Sequence, residues 1–177
     1  SQYGPERRYD SAHILSSEIG MPPSISLRPA TMNDAGILLD WVNQPDSLAH
    51  KLKTTKPIEA DQPSAWLARA LESEACLLWI LEAEGRPVGQ VRFQKTDGSR
   101  WSIDIYIDAA CRGSGAAQYA IRTAAGLLAL REPSAILQAD VKAVNQASLK
   151  LFDRLGFTME QAGPDYSTFF VRIGDIK

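Results

Sequence analysis

The chain has 177 residues, of which 45% are apolar and 23% charged, and its formal net charge at pH 7 is −2. These values predict a globular domain, and the slight negative charge argues against a nucleic-acid partner. The cysteines Cys76 and Cys111 and the histidines His13 and His50 are isolated, unlike the spacing of a disulfide framework or a metal site. We therefore expect a reduced, cytoplasmic protein without a metal or a membrane partner.

The first 23 residues are polar, lack a sustained period and end in two prolines. This pattern is typical of a tail or a linker, so residues 1–23 are expected to be poorly ordered and to suit attachment to an upstream domain. Residues 24–177 are expected to form one domain.

Periodicity and turn residues divide that domain into regular elements. The capping-box spacing of Thr31 to Asp34 predicts the start of the first helix, and Pro45 predicts its end. The order β-α-α-β-β-β-α-β-α-β-β predicts an α/β fold with a mixed sheet and helices on its faces. The predicted elements are a strand at 24–28, helices at 31–45 and 62–73, strands at 77–84, 88–95 and 101–108, a helix at 116–130, a strand at 135–141, a helix at 146–155, and strands at 157–161 and 167–173.

Apolar residues at helical spacing predict which faces of the first two helices are buried. Each set recurs every three or four residues and so forms one stripe. The predicted core positions are Ile37, Leu38, Trp41 and Val42 in the first helix, and Trp66, Leu67, Ala70 and Leu71 in the second.

The segment between Asp108 and Gln118 contains small residues almost throughout, and Arg112 is its one large side chain. A strand, a tight turn and a helix in this order expose main-chain N–H groups that can bind an anion, and small residues let that anion approach. A tight connection without a ligand remains the alternative. The segment lacks the Gly-Lys pair of a P-loop, and Gln118 stands where a Rossmann motif has its third glycine.

Two segments resemble the signatures of the GNAT acetyltransferase superfamily. Residues 112–117 (RGSGAA) match R/Q-x-x-G-x-G/A, and residues 144–157 (VNQASLKLFDRLGF) resemble N-x-x-[AS]-x-x-[LF]-[YF]-x-x-x-G-F. The resemblance implies a mostly antiparallel sheet with splayed parallel strands and helices on both faces. It also implies an enzyme that moves acetyl from acetyl-CoA, its co-substrate, to a primary amine by direct attack in a ternary complex.

The same resemblance implies how acetyl-CoA is held. Its pyrophosphate would lie on the main-chain N–H groups of residues 112–117, which we call the glycine turn. Its pantetheine arm would run between the strand ending at Asp108 and the strand that begins at Ala135. Asn145 would contact this arm, although an N-cap role explains it equally well. The implied cofactor-binding residues are Ile105, Ile107, Arg112, Gly113, Ser114, Gly115, Ala116, Ala117, Asn145, Ser148 and Phe152.

Acetyl transfer needs a neutral amine and a proton for the departing thiolate. Asp104 is the candidate catalytic base, because it lies mid-strand on the polar face; a solvated or ion-paired carboxylate is the structural alternative. The family commonly has tyrosine where this chain has Phe152, which cannot donate a proton. Tyr119, Tyr106, Tyr166 or a water molecule remain open as the acid.

The acceptor is indicated by weaker patterns. Residues 41–43 (WVN) and 65–71 (AWLARAL) resemble GNAT enzymes that acetylate nucleotide-linked amino sugars or protein N-termini, with the amino-sugar branch the nearer. The alternative is that Trp41 and Trp66 are core residues and that the lysines near His50 are solvated. The substrate candidates are Trp41, Asn43, His50, Arg92 and Tyr106. Arg92 and Gln90 alternate on a central strand, and structural pairing is their alternative role.

Two other classes of protein remain open. The chain could be an acyl-CoA-binding accessory or sensing domain with little catalysis, or an interaction domain that binds no CoA. The expected partners are acetyl-CoA and a small-molecule amine. A monomer and a dimer are both compatible with the sequence.

Overall fold

A computed structural model of the protein describes residues 24–44 and 62–177. The expected tail at residues 1–23 and the expected basic segment around His50 lie outside these ranges. Within them, no helix is long and apolar enough to cross a membrane.

The described residues form seven strands and four α-helices in the predicted order. The glycine turn is preceded by a short 3-10 turn at Ala109–Cys111. The strands are β1 (Ile25–Pro29), β2 (Cys76–Ala83), β3 (Arg86–Asp97), β4 (Arg100–Ile107), β5 (Ile136–Lys142), β6 (Thr158–Gln161) and β7 (Tyr166–Arg172). The helices are α1 (Ala35–Val42), α2 (Gln62–Glu72), α3 (Ala116–Arg131) and α4 (Gln146–Arg154).

The strands form one sheet in the order β1-β2-β3-β4-β5-β7-β6. Every neighbouring pair is antiparallel except β4 and β5, which run parallel. This parallel pairing covers only Arg100 with Ile136, Trp101 with Leu137 and Ser102 with Gln138. Because pairing stops after Ser102, the remainder of β4 and the remainder of β5 separate, and the expected splayed sheet is confirmed.

Each face of the sheet carries its own hydrophobic core. Helices α3 and α4 cover one face, where Phe93, Trp101 and Leu137 are fully buried. Helices α1 and α2 cover the other face around Trp41 and Leu67, together with Ile80 of β2. The prediction of helices on both faces is therefore confirmed.

The predicted buried face of α2 is correct at Leu67 and Ala70 but wrong at Leu71, whose side chain is 38% exposed. Helix α2 packs on β2 and α1. The buried stripe therefore passes through Leu67 and Ala70, and the next residue turns outward. Trp66 is partly buried against this core.

The predicted capping box at the start of α1 is confirmed and is reinforced by an arginine. The Thr31 main-chain N–H donates to Asp34 Oδ2 at 2.7 Å, and both Nη atoms of Arg28 donate to the same carboxylate at 2.9 and 2.8 Å. The hydrogen bonds from Arg28 hold the pKa of the buried Asp34 below its ordinary value. This pair therefore stabilises the fold at neutral pH, and its contribution is lost as pH falls through that lowered pKa.

Candidate active site

The glycine turn combines positive φ angles with open space. Gly113 has φ 77° and Gly115 has φ 84°, and Gly115 is the N-cap of α3. Side chains other than glycine adopt this left-handed region at a cost. A Cβ atom at either position would meet no atom of residues 24–44 and 62–177 within 4 Å, its two chain neighbours aside. The backbone conformation therefore requires glycine here, and the space above the turn is open to a ligand.

The main-chain N–H groups of this turn are available to an anion. Among the described backbone–backbone hydrogen bonds, none is donated by Gly113, Ser114 or Gly115. The first N–H groups of α3 also lack intrahelical partners, as at any helix start, and the helix dipole favours negative charge there. The Ser114 hydroxyl donates to the Cys111 carbonyl. The turn thus offers a main-chain anion site at the start of a 16-residue helix.

The Arg112 side chain folds back along the end of β4. Its Nε donates to the Ile107 carbonyl oxygen at 2.9 Å, and its guanidinium carbon lies 5.7 Å from the ring centroid of Tyr106. The Tyr106 ring in turn lies 5.6 Å from the Trp41 ring. Arg112 therefore connects the glycine turn to the side of the sheet that α1 covers.

Asp104 lies where β4 and β5 part, two residues beyond the last pair of the parallel ladder. Its Oδ2 accepts a hydrogen bond of 2.8 Å from Nε2 of Gln90, a buried residue of β3. Arg92 is the cross-strand partner of Asp104, and Tyr106 is that of Gln90. We refer to Gln90, Arg92, Asp104 and Tyr106 as the polar strand face.

The polar strand face shows a contact that sequence reasoning did not find. Gln90 orients the Asp104 carboxylate, and the guanidinium carbon of Arg92 lies 5.2 Å from the Trp66 ring. Alternation along β3 and β4 could have placed these side chains on one face. Their pairing depended on the register between the two strands, which the sequence pattern did not specify.

The second signature segment forms the start and the inner face of α4. Asn145 Oδ1 accepts the Ser148 main-chain N–H at 3.1 Å, which confirms the N-cap role. The Phe152 ring is 4% exposed and meets Phe157 edge-on, with centroids 4.9 Å apart. Phe152 is therefore a core residue with no proton to donate.

The substrate candidates are distributed over several environments. Trp41 is 6% exposed and belongs to the core between the sheet, α1 and α2, which agrees with its structural alternative. Asn43 follows α1 as its C-cap. Arg92 and Tyr106 lie together on the polar strand face. His50 lies outside the described residues.

The Cys76 thiol does not have the setting of a reactive nucleophile. Burial raises the pKa of the Cys76 thiol, although the positive charge of Arg92 acts in the opposite direction. A buried thiol with a raised pKa packs as a small apolar side chain. In residues 24–44 and 62–177, no group of three His, Cys, Asp or Glu residues is placed to hold a metal ion.

The sequence of this chain is similar to those of known acetyltransferases. The family model described as acetyltransferase (GNAT) domain matches residues 24–158. The Bacillus subtilis protein YwnH, provisionally named a phosphinothricin acetyltransferase, is 30% identical over 144 residues, which cover 75% of this chain and 83% of YwnH.

Two solved structures share the fold over most of the chain. Spermidine N-acetyltransferase from Vibrio cholerae in complex with CoA and spermine has a TM-score of 0.76 and 15% identity, covering 85% of this chain and 96% of that one. The ribosomal L7/L12 alpha-N-protein acetyltransferase RimL in complex with coenzyme A has a TM-score of 0.73 and 16% identity, covering 87% and 98%. At these identities the likeness is one of fold.

Proposed function

We propose, from the premise that the chain belongs to the GNAT acetyltransferase family, that it transfers the acetyl group of acetyl-CoA to a primary amine. The observation that carries this proposal is the position of the glycine turn beside the opening between β4 and β5. The two strands pair only as far as Ser102 and Gln138, and the glycine turn follows β4 after the short 3-10 turn at Ala109–Cys111.

The residues of this region fit the parts of acetyl-CoA. The pyrophosphate suits the N–H groups of this turn and helix start, because those of Gly113, Ser114 and Gly115 donate to no described main-chain carbonyl and the first N–H groups of a helix lack intrahelical partners. The pantetheine arm suits the opening between the strands, where the main chain of Ile105 and Ile107 no longer pairs with β5. Asn145 caps α4 and keeps the second signature segment folded.

The reaction needs little covalent chemistry from the protein. The amine nitrogen attacks the thioester carbonyl carbon, the C–N bond forms and the C–S bond breaks, and CoA leaves as a thiolate that takes up a proton. Asp104 is the proposed acceptor of the amine proton, directly or through water, and Gln90 keeps its carboxylate oriented. Phe152 provides no proton, so the thiolate takes its proton from a tyrosine elsewhere or from water.

The acceptor class proposed is a primary amine. The relatives act, according to their names, on phosphinothricin, on spermidine and on a protein N-terminus. The W-x-N pattern at residues 41–43 adds nucleotide-linked amino sugars to these candidates. All of them present an amine to the same thioester, and they differ in the charge of the remaining molecule.

The test combines acetyl-CoA binding with release of free CoA. Acetyl-CoA at about 100 times its Kd should raise the free energy of unfolding by about 2.7 kcal/mol. Free CoA should then be released with at least one member of a panel of amino acids, polyamines, aminoglycosides, peptides and nucleotide-linked amino sugars. Binding without turnover would instead support the accessory or sensing domain, and a melting temperature unmoved by acetyl-CoA would support the CoA-free interaction domain.

A further inference from the structure

Arg92 is a partly buried cation that has no carboxylate partner among the described residues. Its Nε atom is buried and has no hydrogen-bond partner. The ion pairs within the described ranges are made by Arg28, Lys95 and Arg100. A partly buried guanidinium without an anion lacks compensation for its lost hydration, so its environment favours an anionic ligand.

The nearest carboxylate across the strand pair is engaged elsewhere. Asp104 is the direct cross-strand partner of Arg92, and opposite charges at directly paired positions normally interact. Its Oδ2 nevertheless accepts the hydrogen bond from Gln90. Gln90 therefore bonds the carboxylate that faces Arg92 across the strand pair, and the ion pairs of the described residues do not include one between Arg92 and Asp104.

Trp66 holds the Arg92 side chain from α2. The guanidinium carbon lies 5.2 Å from the indole centroid, within range of a cation–π interaction. This contact orients the guanidinium but provides no hydrogen-bond acceptor for its five N–H donors. An oriented guanidinium fork is the group that binds carboxylate and phosphate with two parallel hydrogen bonds.

We propose that Arg92 binds an anionic group of the acceptor, so that the acceptor is a primary amine that also carries a carboxylate or a phosphate. This inference rests on the proposed transfer to an amine and adds the charge of the substrate. Arg92 and Asp104 occupy paired positions of β3 and β4. One small molecule can therefore place its anion at Arg92 and its amine toward Asp104.

Matched acceptor pairs test the proposal by changing only the anion. L-Methionine is compared with L-methioninamide for a carboxylate, and O-phosphoethanolamine with ethanolamine for a phosphate, in assays of CoA release. We expect the anionic member of at least one pair to have a kcat/KM about tenfold or more above its neutral partner, a ratio that corresponds to one bidentate contact. The amine of methioninamide is less basic than that of methionine, so amine ionisation alone would favour the amide.

Variants at Arg92 assign that preference to its side chain. Arg92→Gln should bring the ratio within each pair close to one, and Arg92→Lys should retain part of it, because lysine keeps the charge and loses the planar fork. Arg86→Gln is the matched control, since Arg86 starts the same strand, is exposed and lies at the hairpin end. It should keep the wild-type ratio.

A purely structural role of Arg92 makes different predictions. If Arg92 served only to pack on Trp66, Arg92→Met would lower the melting temperature and the pair ratios of wild type would already be near one. We expect Arg92→Met to melt within about 2 °C of wild type, because it removes a partly buried charge while keeping the side-chain stem. A wild-type ratio of one in both pairs would overturn the proposal.

Binding measurements separate this proposal from the transferase activity itself. With CoA present, methionine or O-phosphoethanolamine should raise the melting temperature more than its neutral partner, and Arg92→Gln should remove the difference. If this difference appears without turnover of any amine, the anion site stands and the proposed activity fails. If neutral amines are acetylated as well as anionic ones and stabilise equally, the activity stands and the anion site fails.

Discussion

The polar strand face lies on β3 and the second half of β4, the glycine turn follows the end of β4, and the two are built in different ways. The turn uses main-chain N–H groups, and its side chains matter chiefly because they are small and allow φ angles of 77° and 84°. The polar strand face uses side chains, held by the Gln90–Asp104 hydrogen bond and the Arg92–Trp66 contact. A main-chain site suits an acetyl donor that is always the same molecule. A side-chain site can be changed residue by residue to suit the amine that accepts the acetyl group.

The largest expected effect comes from breaking the turn alone. Gly115→Glu places a carboxylate at the N-terminus of α3, where the proposed pyrophosphate binds, so the two negative charges repel. We expect acetyl-CoA affinity to fall by about a hundredfold or more, which is about 2.7 kcal/mol. Isothermal titration with acetyl-CoA measures this loss.

The control for this variant is Gly98→Glu in the β3–β4 hairpin. Gly98 also has a positive φ, 51°, and a Cβ there also meets no atom of the described part of the chain within 4 Å, its two chain neighbours aside. Both variants should therefore lose a similar amount of stability, about 1–2 kcal/mol, from the left-handed backbone alone. Equal acetyl-CoA affinity in the two variants would contradict a donor site at the turn.

The second-largest expected effect comes from a change in the polar strand face, and it should lower turnover without weakening acetyl-CoA binding. Asp104→Asn removes the proposed proton acceptor but keeps the shape of the side chain. We expect kcat to fall by more than about tenfold while acetyl-CoA affinity stays within about twofold, since general bases typically contribute a hundredfold or more. Steady-state kinetics and an acetyl-CoA titration measure the two quantities.

Asp97→Asn, at the exposed end of β3, is the matched carboxylate control and should leave both quantities unchanged. Turnover of Asp104→Asn equal to wild type at several pH values would remove Asp104 from the proton transfer. Turnover and acetyl-CoA affinity that fall together would show that the two regions do not act separately.

The sequence predicted the parts of the molecule that depend on local chemistry. The capping box at Thr31 and the N-cap at Asn145 were predicted because each involves residues within one helical turn. The strands predicted at 77–84 and 88–95 are joined by a tight turn at Gly85, which has φ 77°. The order of strands and helices followed from periodicity in the same way.

The sequence pattern did not predict the contacts between residues that are far apart in the chain. The Gln90–Asp104 hydrogen bond and the position of Arg92 over Trp66 depend on strand register and on side-chain rotamers. Leu71 was predicted to be buried because it continues an apolar stripe, yet the width of that stripe depends on how α2 packs. The hydrogen bond from Arg112 Nε to the Ile107 carbonyl was not predicted either, because it depends on the conformation of the whole turn.

The smallest expected effect comes from Arg112, which touches both regions. Arg112→Met removes the 2.9 Å hydrogen bond to the Ile107 carbonyl and the guanidinium beside Tyr106, but leaves the main-chain N–H groups in place. We expect the KM for acetyl-CoA to rise about three- to tenfold, since one hydrogen bond contributes about 1 kcal/mol. Arg122→Met on α3 is the control, because it also removes a bond from an arginine Nε to a carbonyl, that of Lys177. A rise in KM that is equal in both variants would mean that Arg112 supports α3 in general rather than the join between turn and strand.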